Sequence, residues 1–264
     1  MPAYNVEQYI MSAVKSVLNQ SYENWELLLI NDGSIDRTNE EIKKINDSRI
    51  KIFYQENGGV SKARNLGLRK MQGEYFCFFD ADDYMPMNSI SARLSIFQKK
   101  QYLSFVDGCV IYRNKDMMEI LKLYHPCFTG QPFKELIKLS SKCFFGNTWM
   151  IKRKKNYVYK FNEKLKYLED IYFYLSLPNN GYYDYTEEAV LYYRTNSGSA
   201  MSNINHLEEG YSMFYNLVKN NHRFDFMTLA YLKCKITKIM FLTYFMNNKS
   251  SLDAFKFLLR FLRM

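Results

Sequence analysis

Five carboxylates in this 264-residue chain stand where carboxylates can do chemistry: Asp80, Asp82 and Asp83 in one group, Glu169 and Asp170 in another. Asp80-Ala81-Asp82-Asp83 closes the apolar run 75–79. Two carboxylates at i and i+2 beyond a strand end can address different targets. One can accept from ribose hydroxyls while the other ligates a hard divalent cation that also holds a diphosphate. A solvated acidic turn is the plain alternative. Glu169-Asp170 precedes the apolar stretch Ile171-Tyr172-Phe173-Tyr174-Leu175, as an acidic helix start does. Other chemistries lack their residues. There is no GxxxxGK[ST] loop, no Ser/Cys–His arrangement stands out, and His125, His206 and His222 form no i, i+4 pair.

The elements that must hold these groups follow from hydrophobic period. Residues 6–19 read as a helix, with Ile10, Ala13, Val14, Val17 and Leu18 at helical spacing. Strand 25–30, helix 34–46, strand 50–54, helix 60–71 and strand 75–79 follow. This alternation predicts an α/β fold with a parallel sheet, whose ligands sit at the carboxyl ends of the strands. Further on, 105–112 and 189–193 read as strands, 168–177 as a short helix, and the chain from about 206 as mostly helical.

Composition narrows the class. With 47% apolar and 24% charged residues the chain builds a core and is neither disordered nor fibrous. The net charge of +9 lies wholly in residues 101–264, away from the acidic motifs. A nucleic-acid binder would carry its basic footprint on its functional motifs, so nucleic acid is not expected as a partner. The five cysteines form no CxxC pair and show no zinc-ligand spacing, which suits a reducing cytoplasm. The first residues, Met1-Pro2-Ala3-Tyr4, do not read as a signal peptide.

Four polar clusters occur in order near strand or helix ends: Pro2-Ala3-Tyr4-Asn5; Asn31-Asp32-Gly33-Ser34 with Asp36 and Thr38; Gly59-Val60-Ser61-Lys62-Ala63-Arg64-Asn65; and Asp80-Ala81-Asp82-Asp83. Together they resemble the nucleotide-sugar-binding half of family 2 glycosyltransferases of the GT-A fold, over residues 1–115 and, in pattern, 140–200. The resemblance implies that Tyr4 and Asn5 lie near a uridine, with Pro2, Ala3 and Ala81 in the loops that shape its site. It implies that Asp32 accepts from the uracil N–H, that Arg64 borders base and phosphates, that Asp80 binds ribose, and that Asp82 ligates Mn2+ or Mg2+ on the diphosphate. Asp170, with Glu169 beside it, is implied as the general base of an inverting transfer, which must deprotonate the attacking acceptor hydroxyl. Tyr192-Tyr193-Arg194, followed by Ser197, Ser199 and Ser202, resembles a late segment that covers the diphosphate; a strand-end arginine and polar loop is the equal alternative. Trp149 either borders the acceptor or packs in the core.

The family has a further strand just before the Pro-Ala-Tyr-Asn loop, and Met1 occupies its last position. The expectation is a late start, with a gap in the sheet beside strands 25–30 and 75–79. At the other end, residues 210–264 are strongly basic. Phe255, Leu258, Leu259 and Leu262 share one helical face and Lys256, Arg260 and Arg263 another, which suits either an interfacial helix on an anionic membrane or a packed helix with a basic outer face.

These readings combine into a GT-A catalytic domain over 1–205, with a nucleotide-sugar half at 1–115 and an acceptor half at 116–205, followed by a basic helical region at 206–264. The implied activity is inverting, metal-dependent transfer from a UDP-sugar to a glycan or lipid-linked acceptor of a bacterial polysaccharide, in the cytoplasm or at the inner face of its membrane. A nucleotidyltransferase and a catalytically impaired sugar-nucleotide binder are the alternatives.

Overall fold

A computed structural model describes residues 1–178, 180–195, 204–221, 223–246 and 261. The first apolar segments form a parallel ladder: β1 (Pro2–Ala3) pairs with β2 (Leu27–Asn31), and β2 with β3 (Ile50–Tyr54). Helix α1 (Ile10–Leu18) covers this sheet with Ile10, Ala13, Val14 and Val17, the face its spacing predicts. It starts at Ile10 rather than residue 6, because the Val6 and Glu7 amides donate to Thr38 Oγ1 and Asp36 Oδ2. The same Asp36 carboxylate accepts from the Thr38 amide. Residues 34–37 are thereby fixed as a loop, and α2 shrinks to Thr38–Ile42. Helix α3 (Val60–Lys70) follows β3 as expected.

The second sheet is mixed. Its path runs β4 (Tyr75–Phe76), β7 (Met150–Lys152), β5 (Leu103–Arg113), β6 (Ile120–Tyr124), and β8 (Tyr182–Arg194) pairs parallel with β5. Helix α4 (Ser89–Lys99) links β4 to β5, α5 (Phe133–Ile137) precedes β7, and α6 (Glu169–Ser176) precedes β8. Trp149 is fully buried, stacked on Tyr174 at 4.2 Å, with its indole N–H donating to the Cys143 carbonyl. Its role is core packing rather than a border to an acceptor. The final helices, α7 (Ile204–Lys219) and α8 (Phe226–Met246), add Phe214, Val218, Leu232, Ile236 and Met240 to the same core. Phe261 is also buried there, against Tyr215; the remainder of segment 252–264, and Ser197, Ser199 and Ser202, lie outside the described residues.

Between the two sheets runs a cleft of about 590 Å³, lined by Met1, Leu28, Ile30, Tyr75, Phe76 and Phe78. It occupies the expected gap. Strand β4 pairs with β7 over only two residues of the predicted five, and Cys77 and Phe78 beyond it line the cleft. A chain extended ahead of Met1 by about six apolar residues should enter this cleft as a strand. Each large side chain buried contributes about 1.5–3 kcal/mol, at roughly 2–4 °C per kcal/mol. Calorimetry of the extended and original chains should therefore show a melting temperature higher by several degrees; equal values would show the cleft does not accept a strand.

Candidate active site

The polar loops are placed by their own backbone needs. Gly33 has φ +72°, and a Cβ there would stand 2.7 Å from the Asn57 amide nitrogen, so the Asn-Asp-Gly-Ser loop packs directly on the loop that opens α3. Asp32, nearly fully buried, joins the two: its carboxylate accepts from the Gly58 and Gly59 amides at 3.0 and 2.8 Å and from Gln55 Nε2 at 2.6 Å. The Gly59 amide belongs to the N-cap residue of α3, so Asp32 ties its loop to the start of that helix. Asn5, in the left-handed region at φ 52°, accepts from the Ile35 amide, and its own amide donates to Ser34 Oγ. Pro2, Ala3, Tyr4, Asn5 and Asp32 thus gather at the carboxyl ends of β1 and β2, with the Tyr4 side chain exposed.

Helix α3 buries Ser61, Ala63, Arg64, Asn65 and Leu68. Arg64 is therefore pulled inside, at 4% side-chain exposure, and its charge must be met there. One guanidinium nitrogen donates to Asp80 Oδ1 at 2.9 Å and another to Glu169 Oε1 at 3.1 Å. The Asn147 amide oxygen, turned toward it, accepts from both at 3.0 and 3.1 Å. The guanidinium also lies 5.4 Å from the Phe161 ring centre. Burial works against the Arg64 charge and the Asp80 and Glu169 carboxylates outweigh it, so its pKa is raised.

Glu169 and Asp170 open α6 behind Leu168, which is held at φ 62°, a costly position for a non-glycine residue. Burial, then repulsion from Asp170, pushes Glu169 up to about 7 despite Arg64. Burial raises Asp170 as well, with the Ile171 amide at 2.7 Å and Arg64 pulling the other way. Asp170 lines a cavity of about 350 Å³ together with Asp80, Asp83, Tyr112, Phe145 and Tyr193. The two carboxylate groups of the sequence thus face one space. Tyr112, Phe145 and Tyr193 form its aromatic wall through edge-on contacts at 5.3–5.4 Å.

Arg194 ends β8 at the same place. Its amide donates to Asp83 Oδ1 at 2.8 Å, its Nε to the Asp82 carbonyl at 2.6 Å, and another guanidinium nitrogen to the Lys115 carbonyl. Its guanidinium also lies over the Tyr9 ring at 4.8 Å, which ties this turn to the first sheet. Burial, then Asp82, drives the Asp83 pKa well above the usual carboxylate range. Sequence reasoning grouped Asp83 with Asp80 and Asp82 without assigning it a role, and missed Asn147 and the aromatic wall. Adjacency to Asp82 was the available signal for Asp83; Asn147 and the aromatics come from separate segments that only the fold brings together.

An α/β frame with acidic turns at strand ends and a second carboxylate pair across a shared cavity defines a GT-A fold. The profile of glycosyl transferase family 2 matches residues 1–159, and the chain belongs to that family. An uncharacterized glycosyltransferase of Haemophilus influenzae is 33% identical over 221 residues, covering 77% of this chain and 67% of that protein. WfgD of Escherichia coli, named as a UDP-Glc:alpha-D-GlcNAc-diphosphoundecaprenol beta-1,3-glucosyltransferase, is 38% identical over 41% of this chain and 43% of its own. In other curated relatives the shared stretch covers 15–44% of their length. Among solved structures, S. aureus TarS 1–349 in complex with UDP-GlcNAc superposes with a TM-score of 0.67 at 19% identity, over 92% of this chain and 71% of that one. The mannosyltransferase PcManGT of Pyrobaculum calidifontis, in complex with GDP-Man and Mn2+, gives 0.64 at 15% identity over 98% and 77%.

Replacing Arg64 tests the hub. Arg64→Met leaves Asp80 and Glu169 without their shared cation, and breaking a buried pair costs about 3–5 kcal/mol. The sign with pH follows from the raised Glu169 pKa. Stability from a carboxyl with a raised folded pKa is full below the ordinary range near 4.5 and is lost as pH rises through about 7. Losing Arg64 moves that folded pKa higher still. The melting-temperature gap between wild type and variant should widen from pH 6 to pH 8; a gap constant with pH would show that Arg64 does not hold these charges.

Proposed function

We propose that this chain is an inverting, divalent-metal-dependent glycosyltransferase that moves a sugar from a UDP-sugar to a glycan or lipid-linked acceptor. The observation that carries this reading is the single cavity lined by both Asp80 and Asp170, with Arg64 bonded to Asp80 on one side and Glu169 on the other. An in-line displacement needs its leaving group and its base on one short line through the reacting carbon. The UDP-GlcNAc complex of TarS and the lipid-linked acceptor in the name of WfgD support the substrate classes.

The donor set at the acidic turn fits a hard cation. Asp80 and Asp82 offer carboxylate oxygens, and Asp80 keeps 43% of its side chain exposed while Arg64 takes one oxygen. Mn2+ or Mg2+ held by Asp82 would offset the negative charge that grows on the departing diphosphate. The rest falls to the chain's own side chains. Tyr4, Asn5 and Asp32 border the nucleoside; Asp80 accepts from ribose hydroxyls. Arg194 holds the turn from behind and carries positive charge toward the phosphates. The aromatic wall offers ring faces to a sugar. Asp170 takes the proton of the acceptor hydroxyl as it attacks the anomeric carbon, and burial, by raising its pKa, makes it a stronger base than a free carboxylate.

The reading assigns residues 1–115 to the nucleotide-sugar, 116–205 to the acceptor and 206–264 to a basic helical region. No helix among the described residues is long and apolar enough to cross a membrane. Peripheral contact at the inner face of a cytoplasmic membrane is supported by α8, which exposes Phe226, Met227, Phe241 and Phe245 on a helix that also carries Lys233, Lys235 and Lys238.

Two variants separate the roles. Asp170→Asn should lower turnover by about 10²–10⁴-fold while UDP affinity by calorimetry stays unchanged, because the base meets only the acceptor; near-normal turnover would move the role to Glu169. In wild type the rate should fall on acidification from a pH above the ordinary carboxylate range, as the raised carboxyls take up protons. Asp82→Asn should abolish the Mn2+-dependent part of UDP binding in a protein that still melts cooperatively. UDP binding by wild type that is indifferent to EDTA would remove the metal from this scheme.

A further inference from the structure

Three side chains from separate strands meet on the second sheet, on residues the reaction does not use. Cys109 lies in β5, His125 directly follows β6, and Glu187 lies in β8. The cysteine sulfur, an imidazole nitrogen and a carboxylate oxygen fall within 4.8 Å of one another. The backbone builds this meeting. In the β5–β8 ladder Gly108 opposes Thr186 but Cys109 opposes Ala189, so Glu187 and Glu188 bulge out at the level of Cys109. Bulges re-aim side chains.

The His125 ring poses a problem of protons. Its Nδ1 lies 2.6 Å from the Pro126 carbonyl oxygen, a contact that requires Nδ1 to carry the hydrogen. In a neutral ring Nε2 is then a bare lone pair, yet it faces the Glu187 carboxylate. Two acceptors in contact need positive charge: the second ring proton of an imidazolium–carboxylate pair or, once the two side chains part to ligand distance, a cation bound by both. The Cys109 sulfur adds a third donor beside this pair. Sulfur, nitrogen and oxygen together are the ligand types of zinc.

We propose that Cys109, His125 and Glu187 form a zinc site, binding through the thiolate, Nε2 and one carboxylate oxygen. His125 and Glu187 are 42% and 75% exposed, which leaves the fourth position open to water. The Nδ1–H···O=C bond is the outer support that fixes a metal-binding imidazole, and the Tyr185 ring, edge-on at 5.6 Å, holds its plane. Binding releases the thiol proton to solvent, so one thiolate and one carboxylate neutralise the ion. A donor set with sulfur and nitrogen selects Zn2+ over Mg2+ or Mn2+, which separates this site from the carboxylates of the cavity. The ion fastens the segment after β6 to the β5–β8 pair.

Cobalt reports the ligands. The full chain, stripped with EDTA and titrated with Co2+, should develop a thiolate-to-cobalt charge-transfer band with intense tetrahedral d–d absorption, and Zn2+ should displace both. Cys109→Ser should lose the charge-transfer band. His125→Gln and Glu187→Gln, both at exposed positions that do not threaten folding, should each weaken Zn2+ binding by about tenfold or more. Cys234→Ser, at an exposed cysteine of α8, should change nothing. A native chain with no thiolate band, or Zn2+ affinity unaltered in Cys109→Ser and His125→Gln, would leave His125 and Glu187 as an ion pair and overturn the site.

Discussion

Burying a guanidinium without partners costs several kcal/mol, and the fold arranges itself around the partners Arg64 requires. They come from 16 residues away at Asp80 and 105 residues away at Glu169. The first sits in the turn after β4, the second at the start of α6, so meeting one charge draws the acidic turn and the helix that opens with Glu169-Asp170 together. Asn65, the next residue of α3, repeats the pattern with neutral groups: it donates to the Phe161 carbonyl and accepts from the Phe161 amide. Two neighbouring residues of one helix are thus bonded to four regions of the chain: Asp80, Asn147, Phe161 and Glu169.

The legible part of this protein is its first third. There helices of period 3.6 alternate with strands that are short continuous apolar runs, and each chemical motif sits within a few residues of a strand or helix end. Residues 50–54 and 60–70 form the expected strand and helix almost to the residue. Errors arise where side chains take backbone partners. Asp36 ends the would-be helix at 34–37 by accepting from the Glu7 and Thr38 amides, and no periodicity reveals a carboxylate acting as a cap for two segments at once. The 13-residue β8 is likewise underread as 189–193. Its first half, Tyr182 to Glu188, mixes tyrosines with acidic residues, and only the long parallel pairing with β5 makes it a strand.

The site itself was half legible. Asp80, Asp82, Glu169 and Asp170 announce themselves as clustered charge next to apolar runs. Asn147 and the wall of Tyr112, Phe145 and Tyr193 do not, since an asparagine in a loop and aromatics in strands read as ordinary packing until the fold closes them round a cavity. The same limit hid Cys109, His125 and Glu187. Their sequence spacing matches no metal motif, because a β-bulge rather than a helical turn or a tight loop brings the three together.

The carboxylates of the cavity are sorted by exposure more than by type. Asp80 is open to water at 43% and bonded to the Arg64 guanidinium. Glu169, Asp170 and Asp83 lie deeper, and burial raises all three. A carboxyl that resists ionisation is a poorer cation ligand and a better proton acceptor, because its carboxylate is the stronger base. The same guanidinium contributes to both settings. It takes one oxygen of Asp80 and also lowers the cost of ionising Glu169 and Asp170. Depth in the protein, set by which face of α3 and α6 packs inward, is what gives like side chains around one guanidinium their different surroundings.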